Sequence, residues 1–529
     1  MDFTTPIKAV LSYLEVAMIS LIGAYIITFI ASFCTLVIEI VAGRILAPFV
    51  GVSLYTWTSI IGVILAGISI GAYLGGKVAD RYPSKKTLAL LMVLSGISAL
   101  TIPPLTNLIA GYSFAVPLMW RILIVTTIIF FIPSCLLGMI SPVVVKLAIQ
   151  GLERVGGIVG KIYAFSTLGA IIGTFLAGFF LISFMGTRNI ILSMGVILIL
   201  SGLLVNPLFK TKKAIAGFLL IIFVPLIGIY DKAFKPVMKE DNYYYKESNY
   251  YTIKLYNTYK SEKDVELQTL VLDNLIHSYV NLDDPLYLEY EYLKVYADIM
   301  KWRYDRNSSF KTLSIGGGGY TFPRYMEEYY PNSEIDVVEI DPEVTKVAYE
   351  YLGISPDTRI KTFNTDGRWY VMGCKKKYDV IFIDAFNDLS VPYHLTTREF
   401  AQQLKKIMEP GGILLTNIVD NFQKGAFLPS YVKTLREVFG EKVFLLSISP
   451  DIEKIGISTF VVIAGDIDIE NLKKFIEKNK NITTSIVPKN LLEKFINNKY
   501  AVLLTDDYAP VDNLIAPVFQ ERFDYKGVR

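Results

Sequence analysis

Four stretches between residues 312 and 387 hold the residues best suited to chemistry, and each lies where an apolar run ends. Thr312–Gly316 runs into Ile315-Gly316-Gly317-Gly318-Gly319, and Ile335–Ile340 into Glu339-Ile340-Asp341-Pro342. Ile360–Thr365 ends in Asn364-Thr365-Asp366-Gly367, and Val380–Asp384 in Asp384-Ala385-Phe386-Asn387. Consecutive glycines let backbone approach a ligand closely while turning into a helix. An acid roughly 20 residues further on suits paired hydrogen bonds to ribose hydroxyls, which is the place of Glu339. Asp366 is placed to accept from an adenine amine, and Pro342 to start a helix. One such acid is usually a cap or a surface charge. Three at successive strand ends behind a glycine loop read together as a nucleoside site, made of Gly316, Gly317, Gly318, Glu339, Ile340, Asp341, Asp366 and Gly367.

Other chemistries are excluded or weakened. No Gly-Lys-Ser/Thr element is present, which argues against a nucleotide triphosphatase. The chain has 2 histidines, His277 and His394, so no multi-histidine metal site is expected. The net charge is +3, with no basic-aromatic stripe, so nucleic acid is not an expected partner. Of 3 cysteines only Cys374 lies in the polar half, which cannot form an internal disulfide and fits a reducing compartment. The glycines and Glu339 alone leave a nicotinamide dehydrogenase open. The aspartates after the third and fourth strands tilt the reading toward S-adenosylmethionine-type chemistry.

The elements that must position these residues alternate. Further strands are read at Ile413–Asn417, Val443–Ile448 and Thr459–Ala464, with helices at 342–352, 397–408 and 427–438. The βαβα order predicts a parallel doubly wound sheet covered on both faces, an α/β Rossmann-like fold of the class I methyltransferase type. Ligands in such sheets bind outside the carboxyl ends of the strands. Upstream, 240–285 reads as a small antiparallel β unit with strands near 250–257 and 267–273, followed by a helix from Leu286 to Trp302.

The first half differs in kind. Hydrophobic residues make up 52% of the 529, and the mean hydropathy is +0.42. The excess is concentrated before Tyr230. A bilayer core needs roughly 20 apolar residues per helix, and about seven spans are read, at 16–41, 53–76, 86–110, 118–147, 158–184, 188–206 and 214–230. Gly71-Ala-Tyr-Leu-Gly75 and Gly169-Ala-Ile-Ile-Gly173 echo one another, with the spacing that lets helices pack closely. The chain is therefore divided into a multi-span α-helical membrane domain (1–231), a linker with the β unit (232–285) and the cofactor-binding domain (286–529). Loops carrying Lys77, Arg81, Lys85 and Lys86 are expected on the cytoplasmic side. Seven alternating spans would put the polar half outside. An adenosyl cofactor is cytosolic, so a cell-membrane protein with a cytoplasmic soluble domain is the expectation.

Ile315-Gly316-Gly317-Gly318, Glu339-Ile340-Asp341, Asp366-Gly367 and Asp384 together resemble the spermidine synthase family of aminopropyltransferases. Glu247-Ser248-Asn249-Tyr250, Leu272-Asp273-Asn274 and Asp283-Asp284-Pro285-Leu286-Tyr287-Leu288-Glu289 extend the likeness upstream. The whole chain, with Gly75-Gly76-Lys77-Val78-Ala79-Asp80-Arg81 and Thr505-Asp506-Asp507-Tyr508-Ala509-Pro510, is similar to membrane-fused spermidine synthase-like proteins, whose membrane part is distantly like a fragment of a major facilitator transporter. The resemblance implies an aminopropyl donor, decarboxylated S-adenosylmethionine, and an amine acceptor. It implies Glu339 on the ribose, Asp366 on the adenine, Asp384 as the catalytic acid/base, and a homodimer. Tyr251, His277, Tyr287, Asn387 and Asp507 are the candidate substrate-binding residues.

The departures from the family pattern fall on the amine side. Gly319 stands where the family has the aspartate that holds the donor's ammonium, and Asn387 where it has a second acid. Tyr251 and Leu288 also differ. These changes keep two alternatives open. One is an S-adenosylmethionine-dependent methyltransferase acting on a lipid-like or membrane-delivered substrate. The other is a non-catalytic nucleoside or polyamine sensor joined to a transporter-like module.

Overall fold

The computed structural model describes residues 19–110, 118–149, 154–206, 242–260, 264–273, 275–385, 391–448, 457–479, 482–497 and 500–516. The chain divides into two compact units, Met1–Lys239 and Glu240–Arg529.

Among the described residues, the first unit has six helices long and apolar enough to cross a membrane. They are α1 (Leu21–Val50), α2 (Leu54–Arg81), α3 (Lys85–Ile109), α4 (Met119–Ala148), α5 (Val155–Met185) and α6 (Thr187–Val205). The seventh expected span, 214–230, lies outside the described residues. Ser20, Ser53 and Ser84 cap the first three helices, accepting from the amides of Gly23, Thr56 and Thr87.

In a bilayer, apolar side chains would gain little by leaving lipid for one another, so helices of this kind depend on close backbone approach. Glycines provide it. A methyl group on Gly71 would overlap the Cys135 carbonyl, and one on Gly75 would lie 2.6 Å from the Met139 carbonyl oxygen. Likewise, one on Gly169 would overlap the Phe29 carbonyl, and one on Gly173 would lie 2.6 Å from that of Phe33. Three residues before Gly71 and three beyond Cys135, the Ile68 carbonyl lies against Gly138. At the matching positions of the other pair, Ser166 and Ser32 share a 2.6 Å hydrogen bond. The α2–α4 contact is thus repeated by α5–α1, residue for residue, with each pair running parallel. The remaining pair, α3 and α6, is antiparallel and self-matched: Gly96 faces the Gly195 carbonyl and Gly195 faces that of Gly96. The sequence echo is therefore one edge of a three-helix repeat, in which α1, α2 and α3 match α4, α5 and α6 in the same order and with opposite direction.

The second unit begins with a four-stranded antiparallel sheet in the order β1-β2-β3-β4. Its strands are Asn242–Glu247, Thr252–Lys260, Val265–Leu272 and Leu275–Val280. Two of them were expected. The outer two went unread because their alternation is mixed: Tyr243, Tyr244 and Tyr245 fall on both faces of β1, and His277 and Ser278 interrupt the apolar run of β4. The helix α7 runs from Glu291 to Arg303, starting later than expected. Asp284 closes a turn by accepting from the Leu286 amide, and Leu293 N–H bonds the Tyr290 carbonyl at the helix start.

An eight-stranded sheet follows, in the order β12-β10-β11-β9-β8-β5-β6-β7. Its parallel part is β5 (Lys311–Ile315), β6 (Glu334–Glu339), β7 (Ile360–Asn364), β8 (Tyr378–Ile383) and β9 (Met408–Asn421). The all-parallel expectation fails at the far edge. There β11 (Ile457–Gly465) is inserted between β9 and β10 (Val443–Ser447) and runs antiparallel to both, and β12 (Ser485–Ile486) pairs antiparallel with β10, which itself keeps the direction of the parallel strands. Buried strands read as continuous apolar runs in either direction, so their pattern carries no sense of direction. Helices α8 (Thr321–Tyr329), α9 (Pro342–Tyr351), α10 (Gly367–Gly373), α11 (Arg398–Ile407) and α12 (Phe427–Phe439) follow strands β5 to β9 in turn. The fold is thus the Rossmann-like, methyltransferase-type sheet expected. Tyr296 of α7 packs with Phe322 and Phe382 at ring separations of 5.3 and 5.1 Å, fixing that helix on the sheet near the end of β8.

Candidate active site

The chain leaves β5 toward β6 on one side and places β8 on the other, so the sheet's order reverses at β5. The crevice at such a switch point is where ligands bind. Gly316 turns there at φ +100° and Gly318 at φ +49°, in the region that favours glycine. A side chain on Gly316 would overlap the Asp384 carbonyl, so the loop lies directly against the end of β8.

Glu339 holds this loop. Its Oε2 accepts from the Gly317 and Gly318 amides at 2.8 and 3.2 Å, and its Oε1 from the Asp341 amide at 3.0 Å. Burial pushes its carboxyl above the usual range, and the three amides pull in the opposite direction. A carboxylate has about four acceptor positions, so one is left for a ligand. Asp341 is used differently. It caps α9 by accepting from the Glu343 amide at 2.9 Å and accepts the Ser248 hydroxyl, tying the β1–β2 turn to that helix.

A cavity of about 160 Å³ opens beside the loop. Gly316, Gly318, Glu339, Ile340, Asp366, Gly367 and Asp384 line it, as do Tyr251 and His277 from the small sheet. Gly317 and Asp341 do not. Gly317 faces a second space of about 30 Å³ behind the loop, which Gly316 and Asp384 share.

At the wall of the cavity, Asp366 is the N-cap of α10, its Oδ1 accepting from the Arg368 and Trp369 amides at 2.9 and 3.0 Å. Its Oδ2 lies 2.9 Å from Nε2 of His394, which also lines the cavity. The His394 carbonyl accepts from Arg368 at 3.1 Å, and the Arg368 guanidinium grips both oxygens of Asp506 at 2.7 and 2.5 Å. That guanidinium holds the Asp506 carboxyl below its ordinary value. The C-terminal segment does reach the site's rim, but through Asp506. Asp507 is exposed in the Thr505–Tyr508 turn, away from the cavity.

Asp384 is enclosed. Tyr292 of α7 donates to its Oδ2 at 2.6 Å, and the Asn417 amide of β9 to its Oδ1 at 2.9 Å. Burial raises its carboxyl, against the opposing pull of Asn417, Tyr292 and the nearby His277. A carboxylate held this way has its orientation set and a raised affinity for a proton.

Tyr287 is not at the cavity; its hydroxyl donates to Glu289 at 2.6 Å. Gly319 is not an open vacancy for an acid. Its amide donates to Ser278 Oγ at 2.8 Å, and a methyl group there would lie 2.5 Å from the Ser278 Cβ. Asn387 lies outside the described residues. Tyr292, Asn417, His394 and Ser278 went unread as site residues. Asn417 had a usable signal, since the strand read at Ile413–Asn417 ends on it, although β9 itself runs on to Asn421.

Residues 303–474 match the spermine/spermidine synthase domain family. The polyamine aminopropyltransferase of Vibrio vulnificus is 38% identical over 134 residues, 25% of this chain and 44% of that protein. The polyamine aminopropyltransferase 2 of Aquifex aeolicus is 25% identical over 426 residues, 77% of this chain and 81% of that one. A crystal structure of a probable spermidine synthase from Corynebacterium glutamicum aligns over 52% of this chain and 99% of its own, at 22% identity and a TM-score of 0.44. The chain spans less than half the length of the first curated relatives it matches, 44% and 28%.

Proposed function

From the spermine/spermidine synthase domain in its soluble unit, we propose that this protein is a membrane-bound aminopropyltransferase, acting in polyamine and specifically spermidine-type synthesis. It moves an aminopropyl group from decarboxylated S-adenosylmethionine to an amine. The observation that supports this reading is Asp384: half-buried, oriented by Tyr292 and Asn417, and facing the cavity that Glu339 and Asp366 also line.

In this reading Glu339 receives the ribose hydroxyls, Asp366 the adenine amine, and Gly316 to Gly318 pass beneath the nucleoside. An ammonium has no lone pair, so the acceptor must lose a proton before it attacks. Asp384 takes that proton. The amine nitrogen then bonds to the carbon beside the sulfonium, and the carbon–sulfur pair leaves on sulfur as a neutral thioether. Asp384 also steadies the positive charge developing on nitrogen. Tyr251 and His277 line the acceptor side. We place the soluble unit on the cytoplasmic face, to be tested by reporter fusions at the C-terminus, and expect a homodimer, to be tested by light scattering in detergent.

Methyl transfer from intact S-adenosylmethionine is the second reading, favoured by one observation. The space in which an acid at 319 would meet a donor ammonium is filled by Ser278. Calorimetry with each donor on the detergent-purified protein decides between them. Tighter binding of the decarboxylated donor supports aminopropyl transfer. Tighter binding of the intact one moves the assignment to methyl transfer and a lipid-like acceptor.

A further inference from the structure

We infer that His394 is a specificity-determining positioning residue, which sets Asp366 to read the amino group of the base. The inference rests on the nucleoside-binding part of the reading above and gives it a second reader. A carboxylate offers about four acceptor positions. On Asp366, Oδ1 has both of its positions filled by the Arg368 and Trp369 amides of α10. Oδ2 has one filled by His394 Nε2. A carboxylate only accepts, so Nε2–H donates. What remains is a single acceptor position on Oδ2, at the wall of the cavity. Its direction is set because the other three are fixed. One acceptor position suits one N–H donor, which an adenine 6-amino group supplies. A 6-oxo base brings a carbonyl oxygen there instead, and two acceptors facing each other repel.

His394 is itself fixed from behind. Its carbonyl is bound by Arg368, whose guanidinium is clamped by Asp506, and Asp506 also accepts the hydroxyl of Thr397, the N-cap of α11. The imidazole therefore sits on a braced segment joining α10, α11 and the C-terminal turn. Without the His394 bond, Oδ2 would have two free positions. Water can then bridge a 6-oxo base to the carboxylate, and discrimination falls.

The test is calorimetry on the full-length protein in detergent with 5′-methylthioadenosine and 5′-methylthioinosine, which share ribose and thioether and differ at position 6. The native protein is expected to prefer the adenine compound by roughly 100-fold or more, the range of a site built to hydrogen-bond its ligand. In His394→Leu the ratio falls to roughly tenfold or less, mainly through tighter binding of the inosine compound. His394→Gln, whose amide can still donate to Oδ2, restores most of the ratio, an outcome a purely structural role would not produce. If the Leu variant does not fold, His394→Asn replaces it, being polar but too short to reach Asp366. A ratio unchanged in Leu or Asn, or lost equally in Gln, overturns the inference. So does a native protein that binds both compounds alike, which leaves nucleoside binding itself intact. A native protein that binds neither overturns the proposed function instead.

Discussion

Gly71 and Gly316 look alike by one measure and differ in purpose. A side chain on either would run into a backbone carbonyl of a distant segment, Cys135 for the first and Asp384 for the second. Gly71 is in the middle of a helix, and its approach is the whole of its task. It brings the backbone of α2 against that of α4. Gly316 stands at φ +100°, between a strand and a helix, and its approach sets a ligand loop against the strand that carries Asp384. In the first unit glycine spacing repeats, because the same helix contact is made twice. In the second unit it does not repeat, because only one strand pair forms the switch point.

The largest expected effect lies at what the soluble-unit loop closes upon. Asp384→Asn should lower kcat by roughly 10²- to 10⁴-fold, the range for a positioned proton acceptor. Methylthioadenosine affinity should stay within a few-fold, read by calorimetry and single-turnover rates. Equal loss of binding and turnover would mean that Asp384 only supports the loop.

The glycines themselves can be set against each other. Gly316→Ala meets both backbone strain and a clash, and should weaken methylthioadenosine binding by roughly tenfold or more. Gly71→Leu should leave that affinity unchanged and lower the melting temperature of the detergent-solubilised protein. Should Gly71→Leu weaken the nucleoside as much as Gly316→Ala does, the division between packing and ligand glycines fails.

Tyr292→Phe sharpens the account of Asp384. Burial already raises that carboxyl, and the Tyr292 bond opposes the rise. Removing the bond raises it further. The base form exists only above that pKa, so the acid limb of the kcat profile should move to higher pH, with roughly a tenfold loss at the acid end. An unmoved limb would detach Tyr292 from the proton.

The smallest effect is at the rim. Arg368 lowers the Asp506 carboxyl from its ordinary 3.8, so the pair adds stability that is present above that value and is lost as pH falls through the folded one. Asp506 is 42% exposed in its side chain, which limits the contribution to about 1 kcal/mol or less. Asp506→Asn should cost a degree or two of melting temperature at neutral pH and nothing at pH below that window. A larger loss would show that the C-terminal turn carries more of the unit than one ion pair.

What could be read from sequence follows the same division. Gly316, Glu339, Asp366 and Asp384 were legible because each ends a strand, and a doubly wound sheet gathers strand ends at one edge. Asp341 sits in the same pattern yet caps α9, since a cap and a ligand both call for an acid after a strand. Tyr292 and His394 reach their carboxylates from 92 and 28 residues away, through helix packing and a loop that no local spacing encodes. Ser278 fills the place beside Gly319 from a strand of the other sheet. The inverted repeat showed only as two glycine pairs, because its partners, Phe29, Phe33, Cys135 and Met139, contribute backbone carbonyls that any residue would supply.

The most direct test of the central claim is product analysis by mass spectrometry. The purified protein would be given decarboxylated or intact S-adenosylmethionine, with a diamine and with total lipid as acceptors. Release of 5′-methylthioadenosine together with an aminopropylated amine, from the decarboxylated donor and lost in Asp384→Asn, is the predicted result. Release of S-adenosylhomocysteine with a methylated acceptor, or turnover untouched by Asp384→Asn, would contradict it.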